Sequence, residues 1–153
     1  MIIAGLDKLS LIDYPGKIAA IVFTQGCSFR CPFCHNPDLI KVLDARQAKK
    51  AMPEQLVFDF LAKRIGKLEG VVITGGEPTL QKDLPRFIKQ IKEMGFLVKL
   101  DSYGHNTRSL ENILAQGNVD YIAMDIKHTP DKYTLAMGVP VKIENIIRSV
   151  NII

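Results

Sequence analysis

The alternation of short, nearly continuous apolar runs with amphipathic stretches constrains this chain more than any other feature. Residues 18–24 (IAAIVFT) are apolar and rich in β-branched side chains, the pattern of a strand buried on both faces. Residues 14–17 (YPGK) before them read as a turn. Similar runs recur at 70–74 (GVVIT), 96–100 (FLVKL) and 119–126 (VDYIAMDI). Helical spacing fills the gaps: Leu56, Val57, Phe60 and Leu61 after Pro53; Leu84, Phe87, Ile88, Ile91 and Met94 before Gly95; Leu110, Ile113 and Leu114 before Gly117. Strand followed by helix with short connections predicts parallel βα units, right-handed crossovers and ligands at the strands' C-terminal ends. A closed barrel needs eight such units in ~250 residues. The expected fold class is therefore α/β, an open partial (βα) barrel. The last helix, with Ile143, Ile146, Ile147 and Val150, has no strand after it. The expectation is one domain over residues 1–153, truncated at its C-terminal end and lacking its last βα units.

Composition narrows the class. With 47% apolar residues in 153 there is enough to fill one core, and no apolar run approaches the ~20 residues of a membrane span. Residues 1–7 carry no basic and apolar signal pattern, so a soluble cytoplasmic protein is expected. The net charge of +4 comes from lysines and arginines scattered among acids, which reads as solvated surface rather than a nucleic-acid footprint. The three cysteines fall within eight residues, an odd number too tightly spaced for a disulfide framework. Metal or redox chemistry follows.

Cys27, Cys31 and Cys34 form a CxxxCxxC loop leaving the first apolar run. A 4Fe–4S cluster ordinarily takes four thiolates, so three would leave one iron open to a substrate. Other readings remain: zinc with His35 as fourth ligand, haem attachment through Cys31-Pro32-Phe33-Cys34-His35, a Cys31/Cys34 dithiol, or buried apolar cysteines. Adjacent Cys34 and His35 make shared zinc coordination awkward. A dithiol or electron-transfer module gives Cys27 no task.

A second motif, Thr74-Gly75-Gly76-Glu77-Pro78, follows the next strand, where glycines permit close backbone approach and Glu77 offers a carboxylate. The pair of motifs resembles the radical S-adenosylmethionine superfamily, in which CxxxCxφC carries the cluster and GGEP lines the site of the methionine amino group. At a finer level, residues 10–16 (SLIDYPG), 24–27 (TQGC) and 34–37 (CHNP) resemble the activating proteins of anaerobic ribonucleoside-triphosphate reductases.

This resemblance implies several roles. Cys27, Cys31 and Cys34 would ligate three irons of a 4Fe–4S cluster, and S-adenosylmethionine would chelate the fourth. Phe33 would lie against the adenine, with His35 near it. Gly75, Gly76, Glu77 and Pro78 would line the methionine end. Asp101-Ser102 and Asp125 with Lys127, at the ends of the next two strands, would face the cofactor, Lys127 pairing with its carboxylate. Two carboxylates on neighbouring strands repel unless a cation or proton intervenes, so a bound cation near Asp101 and Asp125 is a further expectation. The implied activity is reductive cleavage of S-adenosylmethionine to a 5′-deoxyadenosyl radical, fed by a one-electron donor such as flavodoxin or ferredoxin. The radical would pass to a glycine of a partner glycyl radical enzyme, an anaerobic ribonucleotide reductase. A radical enzyme acting on a small molecule, such as a modified purine precursor, is the alternative within the same chemistry.

Overall fold

The computed structural model describes residues 1–41 and 51–153. Five strands lie in sequence order across one sheet: β1 (Ile3–Ser10), β2 (Ala19–Thr24), β3 (Gly70–Gly75), β4 (Leu97–Ser102) and β5 (Tyr121–Met124). β1 runs antiparallel to β2, while β2 to β5 are mutually parallel. Among the described residues five α-helices accompany them: α1 (Glu54–Ala62), α2 (Leu84–Glu93), α3 (Thr107–Ala115), α4 (Tyr133–Met137) and α5 (Ile143–Ile152).

Side-chain alternation sorts the two faces of the sheet. Ala20, Val22, Val71, Ile73, Val98 and Leu100 point to one side and meet Val57 and Leu61 of α1, Phe87 and Ile91 of α2, and Leu110 and Ile113 of α3 in the main core. Ala19, Ile21 and Val72 point the other way, where Tyr14 from the β1–β2 connection closes the strands' N-terminal end. Phe23, Thr74, Lys99, Asp101 and Ala123 share this second face by the same alternation, nearer the C-terminal ends. Helices α1 to α3 cover one face and none of them the other, which makes the sheet the wall of an open barrel.

Two elements depart from expectation. β1 is an edge strand with charged Asp7 and Lys8 exposed, so it lacks the continuous apolar signature of the strands behind it. α5 buries Ile146 and Ser149, whereas Ile147 and Val150 of the expected apolar stripe are exposed. The helix is turned because Ser149 Oγ donates to the Gly104 carbonyl and lies 3.2 Å from Thr107 Oγ1, and a small side chain lets it approach α3 closely. No helix among the described residues is long and apolar enough to cross a membrane.

Candidate cofactor site

Each chemical motif leaves the C-terminal end of a parallel strand, and backbone hydrogen bonds fix where it goes. After β2 the chain folds back on itself: Gly26 N–H donates to Leu39 O at 2.8 Å and Cys27 N–H to Ile40 O at 3.1 Å. The Gln25 amide completes this closure by donating to the carbonyls of Asp38 and Lys41. The cysteines lie on the excursion between. Arg30 braces it, its guanidinium donating to the carbonyls of Cys27 and Phe29, both at 2.8 Å. Its backbone N–H reaches Met137 O of α4 at 2.9 Å, so α4 buttresses the loop.

Gly75 and Gly76 explain why two glycines follow β3. A Cβ on Gly75, where φ is +115°, would stand 2.4 Å from Thr24 N, and one on Gly76 would stand 2.2 Å from Gly26 O. Both obstacles are backbone atoms of the strand and loop that present the cysteines, so the glycines bring the two motif-bearing segments into contact. Gly76 N–H then donates to Thr24 O at 2.9 Å and Glu77 N–H to Gly26 O at 2.9 Å.

The carboxylate of Glu77 has a task the sequence did not reveal. It is 1% exposed. Oε1 accepts from Thr79 N–H at 3.1 Å, from Thr79 Oγ1 and from Ser102 Oγ at 2.8 Å, while Oε2 accepts from Tyr103 N–H at 3.0 Å. Burial pushes its carboxyl above the usual range, and the four donors pull it back. Glu77 therefore ties the turn after β3 to the end of β4 instead of facing a cleft. Ser102, expected beside the cofactor, is buried on the helix side of β4 as part of this tie, and its Oγ also accepts from Gly104 N–H at 3.0 Å. From there Tyr103 carries the connection to the cysteine loop: its hydroxyl lies 2.7 Å from Ser28 Oγ, and its ring stacks on Phe29 at 4.1 Å. His105, tilted against Phe29 at 5.5 Å, extends the aromatic group. Sequence reading missed Phe29, Tyr103, Tyr133 and Met137. Their signal was the i,i+4 pair of apolar residues at 133 and 137 and the aromatic just past β4.

Cys31, Phe33, Cys34, His35, Gly75, Asp125 and Lys127 meet around one cleft of about 230 Å³, lined also by Asn36 and Thr74, whereas Cys27, the buried Pro78 and Asp101 do not line it. Phe33 is 56% exposed. Lys127 Nζ pairs with Asp125 at 2.5 Å, and its backbone N–H is held by the Tyr133 hydroxyl at 3.2 Å. Asp101 sits lower on the barrel face, opposite Ala123, paired with Lys99 at 2.6 Å. The repulsion anticipated between Asp101 and Asp125 is thus met by two lysines of the chain itself. A neighbouring groove of about 340 Å³ runs from His35 and Asn36 past Phe23 to Ala4 and Gly5 of β1.

The donor set fits an iron–sulfur cluster by its chemistry: three free thiols on one loop, with Cys27 buried and the other two half-buried. Burial pushes the Cys27 and Cys31 thiols up, so metal binding has to displace protons. Among the described residues no three Cys, His, Asp or Glu side chains already stand together as a ligand set. The sulfurs share a loop without being pre-aligned on a common centre.

Comparison with known proteins agrees with this arrangement. The family model described as the radical SAM superfamily matches residues 21–153. A Methanocaldococcus jannaschii protein, named provisionally as a glycyl-radical enzyme activating enzyme, is 38% identical over 86% of this chain and 52% of its own length. The pyruvate formate-lyase-activating enzyme of Clostridium pasteurianum is 35% identical over 84% of this chain and 53% of its own. The chain spans about half the length of the curated relatives it matches. A solved structure of TYW1 with a lysine–pyruvate adduct bound has a TM-score of 0.50 at 22% identity, covering 87% of this chain and 49% of that one, a likeness of fold.

Proposed function

This chain belongs to the radical SAM superfamily, and from that premise we propose that it is the activating component of a glycyl radical enzyme. The observation that carries the reading is the single cleft in which Cys31 and Cys34 of the β2 loop meet Thr74-Gly75 of β3 and Asp125 and Lys127 beyond β5. Cys27, Cys31 and Cys34 would hold three irons of a 4Fe–4S cluster. When bound, that cluster and S-adenosylmethionine together supply one-electron cleavage of the sulfonium and so a 5′-deoxyadenosyl radical able to abstract hydrogen.

The chain's own residues have three tasks. Phe33 offers its exposed ring to a flat heterocycle, with His35 beside it. The Lys127 ammonium, steadied by Asp125, is placed to pair with a carboxylate entering the cleft. The Glu77–Ser102–Tyr103–Ser28 connection keeps the cysteine loop and the Gly75-Gly76 turn in fixed register, which is what positioning a radical next to its target requires. None of these needs to act as acid or base.

The sequence motifs at 10–16, 24–27 and 34–37 favour an anaerobic ribonucleotide reductase as the partner, with flavodoxin or ferredoxin as donor. The relatives named for pyruvate formate-lyase make that enzyme the competing partner. The test is electron paramagnetic resonance of the reconstituted protein with reductant, S-adenosylmethionine and each candidate partner in turn. A glycyl doublet with the reductase supports the assignment. A doublet only with pyruvate formate-lyase moves the partner and keeps the activase. Cofactor cleavage that yields no doublet with any glycyl radical enzyme overturns the activase reading in favour of a small-molecule substrate.

A further inference from the structure

We propose that Lys99 is a positioning residue that supplies, from within the protein, the positive charge Asp101 needs, so that S-adenosylmethionine binding requires no added metal cation. The inference rests on the assignment of the cleft to that cofactor. Lysine is rarely buried, because desolvating an ammonium is costly unless a partner compensates. Lys99 is nonetheless only 8% exposed, in the middle of β4. Register places it between Val72 of β3 and Tyr121 of β5, on the barrel side of the sheet. Its Nζ lies 2.6 Å from Asp101 Oδ1, two residues further along the same face. Asp101 is opposite Ala123, and the alternation that puts it there also puts Thr74, a lining residue of the cleft, beside it.

Before any ligand enters, each carboxylate on these two strands therefore has a lysine partner within the chain. Asp101 has Lys99 and Asp125 has Lys127. Without the lysines, two carboxylates on adjacent strands would demand a cation; with them, an entering cation meets a neutral pair and has to displace a lysine whose side chain is 10% exposed and hemmed in by neighbouring strands. An i,i+2 pair on one strand also fixes the direction of the Asp101 carboxylate through its Oδ1. A purely structural ion pair would stabilise the sheet without altering which ions the cofactor site requires.

Calorimetric titration of S-adenosylmethionine into the anaerobically reconstituted protein separates these cases, at constant ionic strength with tetramethylammonium, sodium or potassium as the cation. The wild type is expected to bind within about twofold in all three, and Lys99→Arg to keep that indifference. Lys99→Met, of similar length and uncharged, should bind about tenfold or more weakly in tetramethylammonium and recover in sodium or potassium. Wild-type affinity rising tenfold with potassium or sodium overturns the inference and leaves the radical SAM reading intact. So does a Lys99→Met protein that matches the wild type everywhere or is weakened equally in every buffer. If Lys99→Met does not fold, the wild type and Lys99→Arg decide. Absence of binding by the wild type in all buffers removes the cofactor assignment itself, and the inference with it.

Discussion

Replacing Glu77 with glutamine should destabilise the protein in the absence of any cofactor. The carboxylate accepts from Thr79 N–H, Thr79 Oγ1, Ser102 Oγ and Tyr103 N–H, and it is buried. Glutamine keeps the shape but turns one acceptor oxygen into an NH₂ donor. If that group faces Tyr103 N–H, two donors oppose each other with no water between; if it faces the other side, three donors lose their acceptor. A hydrogen bond to a charged group contributes ~1.5–3 kcal/mol and an orphaned buried donor costs ~1–3 kcal/mol, so a loss of about 3 kcal/mol is expected. For a chain of this size ~1 kcal/mol moves Tm by ~2–4 °C, giving a fall of roughly 6–12 °C. The assay is urea and thermal denaturation of metal-free protein, with Ser102→Ala and the double variant completing a cycle. Because Ser102 donates to the same oxygen, the two changes should be less than additive by at least ~0.5 kcal/mol. Wild-type stability in Glu77→Gln together with lost cofactor binding would refute the reasoning and return Glu77 to the cleft.

Gly76→Ala forces a Cβ against Gly26 O and Leu39 O, backbone atoms that cannot swing aside, so it should cost ~1–3 kcal/mol or more and lower iron retention, read by denaturation and metal analysis. Tyr103→Phe loses the hydroxyl partnered with Ser28 but keeps the stack on Phe29; a loss of ~0.5–1.5 kcal/mol is expected, against ~3–5 kcal/mol for Tyr103→Ala, by the same denaturation. Burial, reinforced by Lys142, holds the His105 imidazole below the usual histidine range, so its share of stability is complete above the unfolded value of ~6.5 and is lost as pH falls through the lower folded value. His105→Gln should remove that acid-side slope from a series of denaturation curves.

The parts of the fold that sequence displayed clearly are those buried on both sides. β2 and β3 read as unbroken apolar runs because helices cover one face and Tyr14 with its neighbours the other. β1 was hidden because an edge strand with one buried flank can carry Asp7 and Lys8 outward. α4, five residues long, offers only the single i,i+4 pair of Tyr133 and Met137, too little to mark a helix by itself, although both are fully enclosed. At the site, the cysteines and the Gly-Gly-Glu turn were legible because their chemistry is local. The destination of the Glu77 side chain was not, since its partners Ser102 and Tyr103 lie 25 and 26 residues away and meet it only once β3 and β4 pair. The same holds for Lys99, whose apolar neighbours in FLVKL mark a strand but whose partner Asp101 is visible only when both project from one face.

The most direct test of the central claim is the yield of 5′-deoxyadenosine from anaerobically reconstituted, reduced protein, measured alongside iron content in the wild type, Cys27→Ala and Cys34→Ala. Three thiolates holding separate irons predict an iron-loaded wild type that releases 5′-deoxyadenosine, and equal loss of product in the two variants. Stoichiometric zinc without iron in the wild type, or a Cys27→Ala protein that cleaves the cofactor as the wild type does, would contradict the account.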